Sequence, residues 1–568
     1  MKHQKIFIYQ LLPRLFGNKN AKNRKSGTIN ENGCGKFKDI TTGVLKDLHK
    51  NGYTHVWYIG VIAHASTTNY TAYGIPKEYP EIIKGKAGSP YAIRDYYDVD
   101  PDLAVDVPNR IKEFKALISR THKAGLKVII DFVPNHVARN YKSINKPKGI
   151  IDLGENDLTD VAFSPQNNFY YLPGQSLEIQ FNSTTQKRRG LRYQENPAKV
   201  TGNDCFTHQP SQFDWYETVK LNYGIKLDYG HTQKCFSPTP DTWHKMKDIL
   251  LFWASFGVDG FRCDMAEMVP LEFWRWAIPQ IKAAYPDIQF IGEIYNPDQY
   301  RDFLSNSCFD YLYDKVGLYD VLRDVACGYR PSSDITFTLN NVGDIQHKML
   351  NFLENHDEQR IASDFFLKEG SKAKAAMIVT ACINRNPVMI YFGQELGERG
   401  MNEEGFSGRD GKTSIFDYCS LDTIRRWNNK GKWDEEKLTP DEKALRGFYR
   451  TLLNLCNANE ALRQGLFYDI MWSNYDNPDF DSTKQYAFLR GNNEELLLVI
   501  VNFDSTESEV VVNIPNDAFA FFKITKKETG RLVPLLYMES EKAVFSYNIP
   551  IRIKLKPHDG EIYKISFL

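Results

Sequence analysis

At 568 residues the chain exceeds what one compact core holds, so roughly two to four domains are expected. Its 71 basic and 71 acidic residues cancel, which argues against nucleic-acid or membrane-surface binding, and no stretch approaches the length of a membrane span. Nine cysteines are scattered without CxxC pairs, so neither a zinc spacing nor a disulfide framework is visible, with Cys205 and Cys235 left as an open pairing.

The N-terminus, MKHQKIFIYQLLPRLFG, has one short apolar run interrupted by Gln10 and Pro13, unlike a secretory signal. A cytoplasmic enzyme is the expectation, a trimmed signal the alternative. Ile6 to Leu11 reads as a strand, Asp39 to Asn51 as a helix, and THVWYIG as a second strand. In VPNRIKEFKALISRTHKAG the apolar residues Ile111, Phe114, Leu117 and Ile118 keep helical spacing. Pro108 suits the first turn of that helix and Gly125 its C-terminal cap. LKVIIDFVPNH is a continuous apolar run, as in a strand covered on both faces.

About a hundred residues rich in Asn, Gly, Pro and Gln then interrupt the strand–helix rhythm, too many for a structureless loop, so an inserted subdomain is expected. The rhythm resumes with a helix from Trp243 to Phe256, a strand from Val258 to Cys263, a helix from Leu271 to Ala284 and a strand from Gln289 to Ile294. Further strands are expected at Tyr311 to Tyr313, Met349 to Leu353 and Val388 to Phe392. Eight strand–helix units with one large insertion argue for an α/β (β/α)8 TIM barrel over an open sheet. From about Ala461 strands joined by turn residues predict a small antiparallel β domain.

Catalytic residues of such a barrel come from the C-terminal ends of its strands. The third strand ends in DFVPNH, with Asp131, Asn135 and His136; the fourth in FRCD, with Asp264. The fifth ends with Glu293, the seventh with His356 and Asp357, the eighth with Gln394 and Glu395. Any one of these acids is more often structural than catalytic. Several around one rim repel each other, and stability alone does not select that arrangement.

Arg262 and Asp264, two apart on a strand, point the same way, so the guanidinium keeps the carboxylate ionised and limits its rotation. Taken alone the pair is equally a structural ion pair. Glu293 has no cation close in sequence and lies on an apolar strand, which favours a raised pKa. One ionised and one protonated carboxyl are the machinery of glycoside hydrolysis, and 13% aromatic residues are a weak further pointer to sugars.

DFVPNH, GVDGFRCD, IGEIY and ENHD, in this order, resemble the four signature segments of the α-amylase family, retaining α-glucan hydrolases and transglycosylases on a (β/α)8 barrel. The resemblance implies domain A at 1–136 and 241–460, a domain B inserted after the third strand at 137–240, and a C-terminal β-sandwich domain C at 461–568. It implies Asp264 as nucleophile, Glu293 as general acid/base and Asp357 as transition-state stabiliser. Arg262 would orient Asp264, His136 and His356 would bind sugar hydroxyls, and Asp131 would be mainly structural.

Tyr91, in SPYAIRDYYDVDP, matches a tyrosine that stacks on the sugar, the alternative being an ordinary packed aromatic. Arg360 either reaches the next sugar or pairs with a nearby acid. Asn135 matches a ligand of a structural Ca²⁺ in many members, and LNYG at 221–224 loosely resembles a domain-B motif able to supply another; calcium stays open, and no organic cofactor is implied. The implied partner is an α-glucan or oligosaccharide, with no nucleic acid and no membrane, and the oligomeric state is not legible.

One departure stands out. Many α-amylases carry Lys-His after the nucleophile, on the leaving-group side, where this chain has Glu267 and Met268. Hydrolysis of α-1,4 links is the first expectation. Transglycosylation on the same scaffold, glucanotransferase-like or sucrose-acting, is the alternative, and an inactive binding barrel the remote one.

Overall fold

The structure, a computed structural model, describes residues 5–179, 192–228, 231–305, 308–402, 408–524, 529–540, 543–546 and 549–567. Eight parallel strands close into a barrel: β1 Phe7–Leu11, β2 His55–Tyr58, β3 Lys127–Phe132, β4 Gly260–Cys263, β5 Gln289–Gly292, β6 Tyr311–Tyr313, β7 Met349–Phe352 and β8 Val388–Tyr391. They run in sequence order around the ring, and β1 pairs with β8 to seal it. Valine, isoleucine and aromatic residues fill these strands because both faces are buried, one against the barrel interior and one against the helices.

Each expected strand is present, Tyr311–Tyr313 at full length and the others shorter at one or both ends, most of all the third, which stops at Phe132. Val258 and Asp259 fall outside β4, yet Asp259 still bonds through its backbone to Val128 (2.8 Å) and Gln289 (2.9 Å), and its carboxylate accepts the Val128 amide (2.7 Å) and meets His122 Nε2 (2.8 Å). The helices Arg110–Lys123, Asp241–Ala254 and Leu271–Ala284 pack outside the ring. Phe114, Leu117 and Ile118 are buried as the spacing predicts, while Ile111 is only partly covered.

The segment after β3 is mostly irregular, tied by short ribbons. His136–Ala138 pairs antiparallel with Thr218–Lys220, and Tyr171–Leu172 with Ala198–Lys199. Its own apolar cluster gathers Leu177, Ile179, Tyr193, Ala198 and Tyr216 around Ile82. The C-terminal part forms a six-stranded antiparallel sheet, with Ser508–Val512 and Ile551–Leu555 as a second, two-stranded one. Helix Lys374–Cys382, buried from Ala375 onwards, lies between that part and the barrel.

Candidate active site

The parallel ladder sets the position of the acids. Arg262 on β4 stands opposite Asp131 on β3 and Ile291 on β5. One step further, the Asp264 amide donates to the Phe132 carbonyl (2.9 Å) and the Glu293 amide to the Cys263 carbonyl (3.1 Å). Both carboxylates therefore leave fixed backbone just where the strands end. Gly292 keeps that approach open: a Cβ would sit 2.9 Å from Leu312 Cδ2 and 3.0 Å from the Phe309 ring, so both side chains would have to move.

Arg262 is fully buried beneath the acids. Its guanidinium pairs with Asp264 at 2.7 Å, with Glu293 at 2.7 Å and with Asp131 at 3.4 Å. The rings of Trp57, Tyr91 and Tyr313 surround it at 5.3–5.5 Å. This corrects two expectations. Glu293 does have a cation beside it, delivered from the neighbouring strand. Asp264 does not have the arginine to itself, and burial together with Glu293, Asp131 and Asp357 pushes its pKa above the ordinary aspartate range against the pull of Arg262.

Asp131 is likewise held up to about 7 by burial, opposed by Arg262 and by the Trp57 indole N–H, which donates to it at 3.0 Å. With one guanidinium for the three buried carboxyl groups Asp131, Asp264 and Glu293, full ionisation would leave two uncompensated charges, which is why Asp264 and Asp131 keep their protons to higher pH than ordinary aspartates. An ionised and a protonated carboxyl can thus coexist around one cavity.

That cavity, of about 290 Å³, is lined by Lys84, Ser89, Tyr91, His136, Trp215, Glu217, Asp264, Met265, Glu293, Tyr295 and Asp357, among others. Larger hollows lie elsewhere among the described residues, one of them, of about 540 Å³, between residues 325–331 and the C-terminal β part. One of about 690 Å³ holds charged groups paired with each other, such as Arg426 with Glu442 (3.0 Å). Another, of about 530 Å³, runs past Glu267 and Met268. Converging carboxyls, more than volume, mark the smaller cavity as the site.

Glu293 is held from three sides. Besides Arg262, the Met265 amide donates to its Oε2 (2.7 Å) and the Tyr295 hydroxyl to its Oε1 (2.5 Å). Met265 adopts left-handed backbone (φ 43°), a strained conformation for a non-glycine residue that aims its amide at Glu293. The Glu267 carboxylate accepts the Tyr295 and Asn296 amides (2.7 and 3.0 Å), bracing the loop after β5.

Tyr91 lines the cavity with its ring stacked on that of His356 (centroids 5.2 Å, 23°) and its hydroxyl 2.6 Å from His356 Nε2. His356 itself does not line the cavity: its Nδ1 meets Gln10 Nε2 at 2.9 Å, so both ring nitrogens are engaged by protein. It therefore supports Tyr91 and Asp357 (3.1 Å) where a direct sugar contact was expected. His136 does reach the cavity, and burial beside Lys220 and Lys84 holds it neutral, with a pKa of about 3. Arg360 turns inward to Glu354 (2.9 Å) and the Phe392 carbonyl (2.9 Å) and does not line the cavity. Gln394 and Glu395 serve packing, bonded to Tyr449 (3.0 Å) and Tyr9 (2.7 Å).

Calcium does not fit at Asn135. Its Oδ1 accepts from the Lys220 ammonium (2.9 Å), which also pairs with Asp204 (2.6 Å), while its Nδ2 donates to the Gly202 carbonyl (2.7 Å). A divalent ion on these oxygens would face an ammonium at contact distance. Among the described residues no cluster of three or more metal-ligating side chains occurs, and all nine cysteines are free, Cys205 and Cys235 included.

Sequence reasoning missed Lys84, Trp215, Glu217 and Met265, which lie outside the quoted segments, and Tyr295, the last residue of IGEIY. Tyr295 alone carried a signal, two residues beyond Glu293 and so on the same side of an extended chain.

Residues 10–465 match the family described as alpha amylase, catalytic domain. Alpha-amylase 2 of Dictyoglomus thermophilum is 22% identical over 432 residues, covering 75% of this chain and 60% of that protein. The chain thus spans less than two thirds of that relative. A cyclomaltodextrinase from a Bacillus species is 22% identical over 523 residues, covering 88% of this chain and 72% of the relative. The crystal structure of an α-amylase from Geobacillus thermoleovorans, complexed with acarbose, superposes with a TM-score of 0.63 at 18% identity, covering 100% of this chain and 99% of that one. The fold is shared.

Proposed function

The chain belongs to the α-amylase family of glycoside hydrolases, and on that footing we propose that it cleaves α-1,4-glucosidic bonds of starch-like glucans or maltooligosaccharides with retention of configuration. The observation that carries this reading is the pair Asp264 and Glu293, on adjacent strands, facing one cavity and sharing Arg262 at 2.7 Å each. Neighbouring strands lie about 4.8 Å apart, which favours the carboxyl separation of about 5–5.5 Å used by retaining enzymes over the wider gap of inverting ones.

In this reading Asp264, ionised, attacks the anomeric carbon while Glu293 gives its proton to the glycosidic oxygen. The bond to the leaving sugar breaks and a β-glycosyl-aspartate forms. Glu293, now a carboxylate, takes a proton from water, whose oxygen displaces Asp264. Asp357, half-exposed at the cavity, is placed to hold hydroxyls of the ring, and His136, neutral, to bind another. Tyr91 offers the stacking face, and Arg262 acts from beneath by fixing both carboxylates. No metal enters any step.

The Glu267 brace supports a second reading on the same site. Its carboxylate is engaged in holding backbone and Met268 lines the separate hollow of about 530 Å³, so neither supplies the polar contacts that Lys-His makes on the leaving-group side in many family members. Transglycosylation is then the competing outcome. A cytoplasmic location is part of this proposal, and nine thiols are compatible with a reducing compartment.

Asp264→Asn and Glu293→Gln should each lower kcat on maltooligosaccharides by roughly 10²-fold or more, with circular dichroism unchanged; near-full turnover by either removes the assignment. Product analysis on maltotriose separates the two readings, since longer products mean transfer and glucose with maltose alone means hydrolysis.

A further inference from the structure

The wall of the cavity next to His136 carries an ion pair that the double displacement does not use. Lys84, from the loop after β2, reaches Glu217, from the segment inserted after β3, at 2.8 Å. Both line the cavity. Glu217 is only 5% exposed, and its second oxygen, Oε2, has no hydrogen-bond partner among the described residues. A buried carboxylate oxygen left without a donor is unfavourable, and in a cavity it marks where a ligand hydroxyl belongs.

The pair is also held in place from both sides. Trp215 (φ 39°), Tyr216 and Glu217 form a turn that the Thr218 amide closes on the Trp215 carbonyl (2.9 Å) just before the ribbon His136–Ala138/Thr218–Lys220, while the Arg139 amide donates to the Glu217 carbonyl (2.9 Å) and Arg139 Nε to the Tyr216 carbonyl (2.7 Å). Tyr216 turns into the inserted segment's own core while Trp215 and Glu217 face the cavity. On the other side, Gly85 has φ 64° and a Cβ there would lie 2.2 Å from the Phe416 carbonyl, so the Lys84 loop is docked where only glycine fits. Rigid placement of a polar pair is what recognition needs.

We propose that Lys84 and Glu217 are specificity-determining residues that read a pair of adjacent hydroxyls on the glucosyl unit occupying this cavity. Glu217 Oε2 accepts one hydroxyl proton and the Lys84 ammonium, which has three donors, gives one to the neighbouring oxygen. The inference rests on the glucan-cleaving reading of the site. It adds that the small cavity, at the lower end of the range for ligand pockets (about 300–1,000 Å³), selects an unsubstituted ring at that point.

The test uses maltotriose and monodeoxy maltosides. In an Asp264→Asn background, calorimetry should show maltotriose binding weakened about tenfold or more by Glu217→Gln and by Lys84→Met. In otherwise native enzyme, Glu217→Gln should raise KM with kcat nearly unchanged. One monodeoxy maltoside should bind Asp264→Asn protein weakly, yet lose no further affinity when Glu217→Gln is added, the signature of a coupled contact. Equal maltotriose affinity with and without Glu217→Gln, or the same deoxy penalty in both, overturns the proposal. Should Glu217→Gln fail to fold, Glu217→Asp withdraws the carboxylate by one methylene and supports the same comparison. Turnover of maltotriose by the native enzyme is read alongside: binding without any turnover defeats the hydrolase reading and leaves the hydroxyl contact standing.

Discussion

Arg262 is the residue on which the site's electrostatics turn, because a single buried guanidinium is divided among Asp131, Asp264 and Glu293. Its effect on Asp264 is correspondingly diluted. A carboxyl raised by burial and by like charges keeps its proton to higher pH, and the nucleophile proposed above must lose it, so on that proposal activity should rise with pH through the raised pKa of Asp264. Removing one like charge lowers that pKa. Asp131→Asn should therefore move the acid limb of the kcat/KM profile to lower pH, the more so because Arg262 is freed to pair with Asp264. A limb that stays in place, or moves up, contradicts the shared-cation account. The Arg262–Asp264 contact was legible from their spacing of two. The Arg262–Glu293 contact was not, since it depends on which strand lies beside β4.

At the scale of elements, the ribbon of His136–Ala138 with Thr218–Lys220 ties the inserted segment to the barrel. Register puts Lys220 opposite His136, and its ammonium bridges Asn135 and Asp204 where a divalent ion would otherwise be expected. Chelators should accordingly leave both the melting temperature and the activity unchanged. Lys220→Met should destabilise by about 1–3 kcal/mol, the cost of stranding a buried polar partner, and thermal denaturation with and without EDTA reads both. A fall in melting temperature on chelation alone refutes the reading. The sequence supplied Asn135 as a candidate ligand but not the lysine that fills its valence, because the two are 85 positions apart.

At the scale of the whole molecule, helix Lys374–Cys382 explains why the C-terminal β part belongs with the barrel. Its sequence, KAAMIVTAC, is apolar on every face, and every residue from Ala375 onwards is buried. Polar ties reinforce the seam: Arg490 donates to the Cys382 carbonyl (2.5 Å), Ser332 Oγ to the Gln485 carbonyl (2.6 Å), and Lys374 pairs with Asp559 (3.2 Å). A chain ended after Gly465 would expose that helix to water, and each fully uncovered Leu- or Ile-sized side chain forfeits about 1.5–3 kcal/mol. Such a truncation should be insoluble or bind ANS strongly; a soluble, fully active 1–465 fragment would show that the seam is dispensable.

The strands, their order and the acids at their ends were legible in the chain because they depend on local patterning. Two-sided burial writes itself as runs such as KVIIDF, and a strand end that faces a cavity carries its polar group at the next position, as at Asp264 and Glu293. What only the tertiary structure decided was partnership: that Arg262 serves three acids, that His356 lies behind Tyr91 and away from the cavity, that Lys220 occupies the oxygen of Asn135, and that Lys84 meets Glu217 across the wall. These contacts join residues brought together by barrel closure and strand register, and the free energy that selects them belongs to the packed whole. No short stretch of sequence contains it.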